Sequence, residues 1–231
     1  MNIYCLPFAG GAGYSYDLFR KNAPSSLRFV TLELPGRGNR INEPLLTDIP
    51  AIVEDVWRQL KSFNLEEPYA IYGHSLGGLL TYLLTHRILA EGKPVPLHLF
   101  FSGCYPPSRI SFRKKRHLLS DDDLIRELKD MGGSPSEILE DYDLMQFFLP
   151  IIRADFRAIE LYRHTSYEPF EIPITVFLGD EEDEIGKEAD GWSEVTLATQ
   201  EVVKMPGAHF FIYDNCEQIL DIITQKISVL S

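Results

Sequence analysis

Residues 69–80 read Tyr-Ala-Ile-Tyr-Gly-His-Ser-Leu-Gly-Gly-Leu-Leu, an apolar strand that runs through Gly73-His74-Ser75-Leu76-Gly77 into an apolar helix. This is a G-x-S-x-G elbow in the strand–turn–helix setting that gives the motif meaning. The sharp turn exposes the serine hydroxyl, and glycines two residues to either side relieve crowding against the adjoining strand and helix. Ser75 is the candidate nucleophile.

The rest of the chain supplies a matching scaffold. Strand-like apolar runs at 3–7, 29–34, 69–72, 97–102, 174–178 and 201–205 alternate with helical patterns. Helices are expected over 49–63, with Ile49, Ile52, Val53, Val56 and Leu60 on one face, over 76–90, and over 215–230 with Asp214 as N-cap. Such alternation predicts an α/β fold with a mostly parallel sheet covered on both faces. The 231 residues suffice for one domain with a full core. From 106 to 169 no strand pattern occurs; helices are expected over 121–131, capped by Ser120, over 136–140 and over 143–164. An all-helical insertion after a sheet strand predicts a lid over the strand ends. Its apolar residues Leu128, Met131, Phe147, Phe148, Ile151 and Phe156 fit core packing as well as a pocket wall.

Charge narrows the partners. With 34 acidic and 22 basic residues the net charge is -12, which argues against nucleic acid. No apolar run approaches the roughly 20 residues that span a bilayer. The start lacks a signal peptide's basic n-region, and Cys5, Cys104 and Cys216 are odd in number and far apart, so reduced thiols in a cytoplasmic protein are expected. They lack metal-ligand spacing, G-x-G-x-x-G is absent, and no cofactor is expected. Arg113-Lys114-Lys115-Arg116 is a compact basic run in this acidic chain, a candidate docking patch or a solvated loop.

A serine nucleophile needs a base, and the base needs an orienting acid. Of six histidines, His209 follows the last strand in Pro206-Gly207-Ala208-His209-Phe210, where the chain order Ser…Asp/Glu…His places the base. His74 adjoins the nucleophile and cannot fold back onto it; packing beneath the turn is its expected role. The acid belongs in Gly179-Asp180-Glu181-Glu182-Asp183-Glu184-Ile185, just past a strand. Asp183 is the first choice, because Ile185 two residues on can anchor the loop and turn the carboxylate inward. Asp180 and Glu182 stay open as alternatives. The oxyanion hole needs two backbone N–H groups. Leu76, after the nucleophile, supplies one, and the small-residue loop Pro7-Phe8-Ala9-Gly10-Gly11-Ala12-Gly13 supplies the other.

Together these residues resemble the type II thioesterases of nonribosomal peptide and polyketide assembly lines, and the related medium-chain thioesterase of animal fatty acid synthesis. The resemblance runs from Leu6-Pro7-Phe8-Ala9-Gly10-Gly11 and Leu34-Pro35-Gly36-Arg37-Gly38 through the elbow to Arg153-Ala154-Asp155-Phe156, Trp192 and Pro206-Gly207-Ala208-His209. It implies an α/β-hydrolase fold with a helical lid, and release of acyl groups from the phosphopantetheine arm of carrier proteins. It implies Ser75 as nucleophile, His209 as base, and Ala9 and Leu76 as oxyanion donors. The family usually carries Asp three residues past the strand-ending glycine, where this chain has Glu182. A general carboxylesterase, an acyltransferase and a noncatalytic binding protein of the same fold are the alternatives.

Overall fold

In the sheet, every second side chain enters the same layer, and both layers are apolar. Tyr4, Leu6, Ile71, Leu99, Phe101, Ile174, Val176 and Leu178 pack on one side. Ile3, Cys5, Ala70, Tyr72, Phe100 and Phe177 pack on the other. Strands buried on both faces belong between two helical layers. The computed structural model, which describes residues 1–110, 115–132 and 141–229, has that arrangement.

Along the chain the elements are β1 (Asn2–Leu6), α1 (Asp17–Asn22), β2 (Arg28–Thr31), α2 (Ile49–Leu60), β3 (Tyr69–His74), α3 (Leu76–Ala90) and β4 (Leu99–Ser102). They continue as α4 (Asp121–Met131), α5 (Tyr142–Leu161), β5 (Ile174–Gly179), α6 (Asp183–Lys187), β6 (Gln200–Met205), α7 (Phe211–Asp214) and α8 (Cys216–Ser228). The six strands are ordered β2-β1-β3-β4-β5-β6, and every pairing is parallel. Helices α2 and α3 cover the first layer. Phe19 of α1 and the Ile219, Leu220, Ile223 and Ile227 stripe of α8 cover the second. That stripe keeps one face of a helix against the sheet.

Local chemistry sets the helix ends. Asp48 caps α2 by accepting from the Ala51 N–H, and Ser120 caps α4 by accepting from the Asp123 N–H, each satisfying a donor the first turn leaves free. Asp214 does not cap the last helix as expected: it closes α7, a short turn of its own, and Asn215 precedes α8. The expected helix over 136–140 lies outside the described residues.

Between β4 and β5 the described residues hold helices α4 and α5 and no strand. Leu124, Met145, Leu149, Ile152 and Phe156 bury one another there, with Leu128, Met131 and Phe148 against them. Ala9, on the loop after β1, packs into the same cluster. The insertion thus sits on the loop expected to help form the oxyanion hole. Ile151 is buried and Phe147 is exposed. All three cysteines are free thiols buried in the fold.

His98, just before β4, is buried. Burial, helped by Lys226, pulls it down to about 4. Its Nε2 lies 2.9 Å from Thr175 Oγ1. An unfolded histidine takes its proton near pH 6.5, so only the unfolded chain binds that proton between those values. The stability held by neutral His98 is complete above pH 6.5 and is lost as pH falls toward 4. Between pH 6.5 and 5 this one group contributes about 1.5 kcal/mol of lost stability. Urea unfolding of wild type and His98→Gln across that range checks it: the variant should show a shallower decline by that amount.

Candidate active site

The chain runs from β1 outward to β2, then crosses back to add β3 on the other side of β1. Crevices open at the carboxyl ends of strands where the order reverses this way. Two segments meet at that point: the 7–13 loop after β1 and the elbow after β3. The approach is close. A side chain at Gly77 would run into the Leu6 carbonyl oxygen, so only glycine lets α3 begin against the end of β1.

Ser75 sits at φ 56°, ψ -116° between β3 and α3. Among the described residues it is the one non-glycine with positive φ. Such a conformation costs about 1–3 kcal/mol and persists where its surroundings hold it. Here the Ser75 N–H donates to the Ser102 carbonyl (2.9 Å), and the Ser75 carbonyl accepts from the Gly78 N–H (2.9 Å). Its Oγ lies 3.0 Å from His209 Nε2. His209 arrives from the turn after β6, where Gly207 has φ 113°.

The carboxylate on the other side of His209 belongs to Glu182, not to Asp183: Glu182 Oε1 is 2.6 Å from His209 Nδ1. The reason lies in the turn that leaves β5. The Glu182 N–H donates to the Gly179 carbonyl at 3.1 Å, which folds residue 182 back over the strand end. Its second oxygen accepts from the Gly179 N–H at 3.0 Å. Asp183 begins α6 one residue later and is exposed. Asp180 is not at the ring either; its Oδ1 accepts from the Gly207 N–H at 2.8 Å and braces the turn that presents His209. Ile185 is only partly buried, so the anchor expected to turn Asp183 inward does not do so.

His74 packs beneath this chain. It is fully buried, with its ring 5.0 Å from that of His209. Its Nδ1 is 2.9 Å from Ser102 Oγ, and Ser102 donates to the Tyr72 hydroxyl. Burial, then the neighbouring His209, holds His74 well below the ordinary histidine value. A neutral His74 does not oppose a positive charge forming on His209.

Ala9 lies on the turn after β1 and Leu76 is the first residue of α3. An amide N–H in the first turn of a helix has no intrahelical acceptor and is open to a ligand. Two members of the basic run have partners within the fold. Lys115 Nζ donates to the Glu160 carbonyl, Arg116 pairs with Glu127 at 2.9 Å, and Arg113 and Lys114 lie outside the described residues. No group of histidine, cysteine and acidic side chains suited to a metal occurs among the described residues. No helix among them is long and apolar enough to cross a membrane.

A family model described as a thioesterase domain matches residues 1–227. The gramicidin S biosynthesis protein GrsT of Aneurinibacillus migulanus is 32% identical over 231 residues, spanning 100% of this chain and 90% of that protein. Among solved structures, ClbQ from the colibactin NRPS/PKS pathway superposes with a TM-score of 0.92 at 34% identity, over 99% of this chain and 97% of that one. The type II thioesterase BorB from the borrelidin biosynthetic cluster superposes with a TM-score of 0.89 at 30% identity, over 97% of this chain and 91% of that one.

Proposed function

The chain belongs to the thioesterase family, and from that premise we propose that it hydrolyses acyl thioesters carried on the phosphopantetheine arm of carrier proteins, with Ser75, His209 and Glu182 as its triad. The observation that carries this reading is the continuous chain from Ser75 Oγ through the His209 ring to Glu182, at 3.0 and 2.6 Å. His209 Nε2 takes the Ser75 proton as the oxygen attacks the thioester carbonyl. Glu182 holds the ring in the tautomer that leaves Nε2 free and stabilises the imidazolium that forms. The Ala9 and Leu76 N–H groups hold the tetrahedral oxyanion. Collapse breaks the carbon–sulfur bond, and the His209 imidazolium gives its proton to the leaving thiolate, which departs as the thiol. His209 then activates water against the acyl-serine, and the free acid leaves.

The relatives support the assembly-line setting, since GrsT is a gramicidin S biosynthesis protein and ClbQ comes from the colibactin NRPS/PKS pathway. Helices α4 and α5 act as the lid of this site, because their shared core includes Ala9. A cytoplasmic setting accords with three unpaired thiols.

Matched substrates test the reading. One acyl group is presented as a carrier-bound thioester, as a small-molecule thioester and as an oxygen ester, with and without an added alcohol. We expect kcat/KM to fall in that order, by about tenfold or more at the oxygen ester, since a thiolate leaves with little protonation. Preference for the oxygen ester would establish a carboxylesterase; ester formation with the alcohol would establish an acyltransferase.

A further inference from the structure

The triad leaves two segments unexplained: Leu34-Pro35-Gly36-Arg37-Gly38 after β2 and Arg153-Ala154-Asp155-Phe156 in α5. They lie over a hundred residues apart in sequence, and the fold joins them. Arg37 and Asp155 form a two-pronged ion pair, Nη1 to Oδ2 at 2.6 Å and Nη2 to Oδ1 at 2.8 Å. Both side chains are buried. A buried ion pair contributes little net stability against apolar residues of the same size, because desolvation offsets the attraction. Its position indicates a different use.

Asp155 Oδ2 also accepts from the Gly10 N–H at 2.7 Å. Gly10 is third in a turn closed by the Gly11 N–H donating to the Phe8 carbonyl at 2.8 Å, and its φ is +79°. This is the type II pattern, whose central peptide here joins Ala9 to Gly10. Types I and II differ by a flip of that peptide. A carboxylate on the Gly10 N–H fixes that peptide in one sense and so pins the turn whose preceding peptide, Phe8–Ala9, carries the Ala9 N–H. Arg37 reaches the same loop from the other side, its Nη1 3.3 Å from the Gly11 carbonyl. Ile152, one turn before Asp155 in α5, closes over the glycine: a Cβ at Gly10 would lie 2.6 Å from its Cγ1.

We propose that Arg37 and Asp155 are positioning residues of the oxyanion hole, locking the 8–11 turn so that the Ala9 N–H is set before substrate arrives. Asp155 supplies the acceptor that holds the turn. Arg37 cancels a negative charge that would otherwise oppose the oxyanion across a medium of low polarity. A preset donor needs no reorganisation during the reaction. The proposal rests on the catalytic reading of Ser75 and Ala9 given above.

The test compares Asp155→Asn, Arg37→Gln and the double variant with wild type. Active sites are titrated by a phosphonate, so kcat refers to folded enzyme. A trifluoromethyl ketone, which Ser75 converts to a tetrahedral oxyanion, reports on the hole directly. We expect Asp155→Asn to lower kcat ten- to a hundredfold with KM changed less than threefold. Ketone affinity should weaken by the same factor. Arg37→Gln should lose more, because it leaves the carboxylate uncompensated, and the double variant should recover part of that loss. If Asp155→Asn does not fold, Arg37→Lys decides, since it keeps the charge but not the fork; the same parallel fall in kcat and ketone affinity is expected. Lower thermal stability with kcat and ketone affinity unchanged would mean that the pair only holds the fold, and would overturn the proposal. Near-normal turnover in a folded Ser75→Ala would instead overturn the catalytic reading beneath it.

Discussion

Ser75→Ala is expected to lower thioester turnover by at least about a thousandfold. Without Oγ no acyl-enzyme forms, and what remains comes from the oxyanion donors polarising a carbonyl toward water. The fold should persist, because the Ser75 backbone bonds to Ser102 and Gly78 do not involve the hydroxyl. Ser75→Gly sharpens the expectation. The residue sits at φ 56°, so glycine relieves backbone strain and should add about 1 kcal/mol of stability to an equally inactive protein. Single-turnover hydrolysis and urea unfolding on the same samples read both effects. Near-normal turnover in a folded alanine variant would exclude Ser75 as nucleophile.

The second large effect concerns the acid. Glu182→Gln should reduce kcat by about a hundred- to ten-thousandfold, as an amide in this place favours the wrong histidine tautomer. Asp183→Asn should change kcat less than threefold, because that side chain is exposed at the start of α6. Asp180→Asn should also be mild, since an amide oxygen can still accept from Gly207 N–H. A large loss in Asp183→Asn with activity retained in Glu182→Gln would reverse the assignment.

The contrast between these residues shows what the sequence makes legible. The places of Ser75 and His209, 3.0 Å apart in the fold, are readable because each follows a strand whose apolar pattern is clear, and the chain order limits where they fall. The same patterns predicted the α/β sheet and placed the helical insertion after β4. The acid was not readable from the residues alone. Five of the six residues after Gly179 are acidic, and which one points inward depends on a single turn. Ile185, two residues past Asp183, points to the wrong carboxylate because it is only partly buried. The Glu182 N–H to Gly179 carbonyl bond, which decides the matter, leaves no mark in composition or periodicity. The Asp214 cap failed for a related reason: Phe211 and Ile212 are buried beneath it, and that packing favours an extra turn ahead of α8. The Arg37–Asp155 pair was present only as two distant motifs, and sequence spacing carries no information about such a contact.

The buried cysteines carry a consequence for what happens after hydrolysis. Each thioester hydrolysed frees a thiol, and a free thiol attacks accessible disulfides and is itself captured by oxidised cysteines. Cys5, Cys104 and Cys216 are all enclosed, and burial raises each thiol so that little thiolate forms. Thiolate is the form that exchanges. The protein is therefore a bystander to the sulfur chemistry of its own product, releasing thiols without becoming cross-linked to them. A single cysteine introduced on its surface would accordingly react alone with maleimides, giving a clean attachment point for a fluorophore in the native protein.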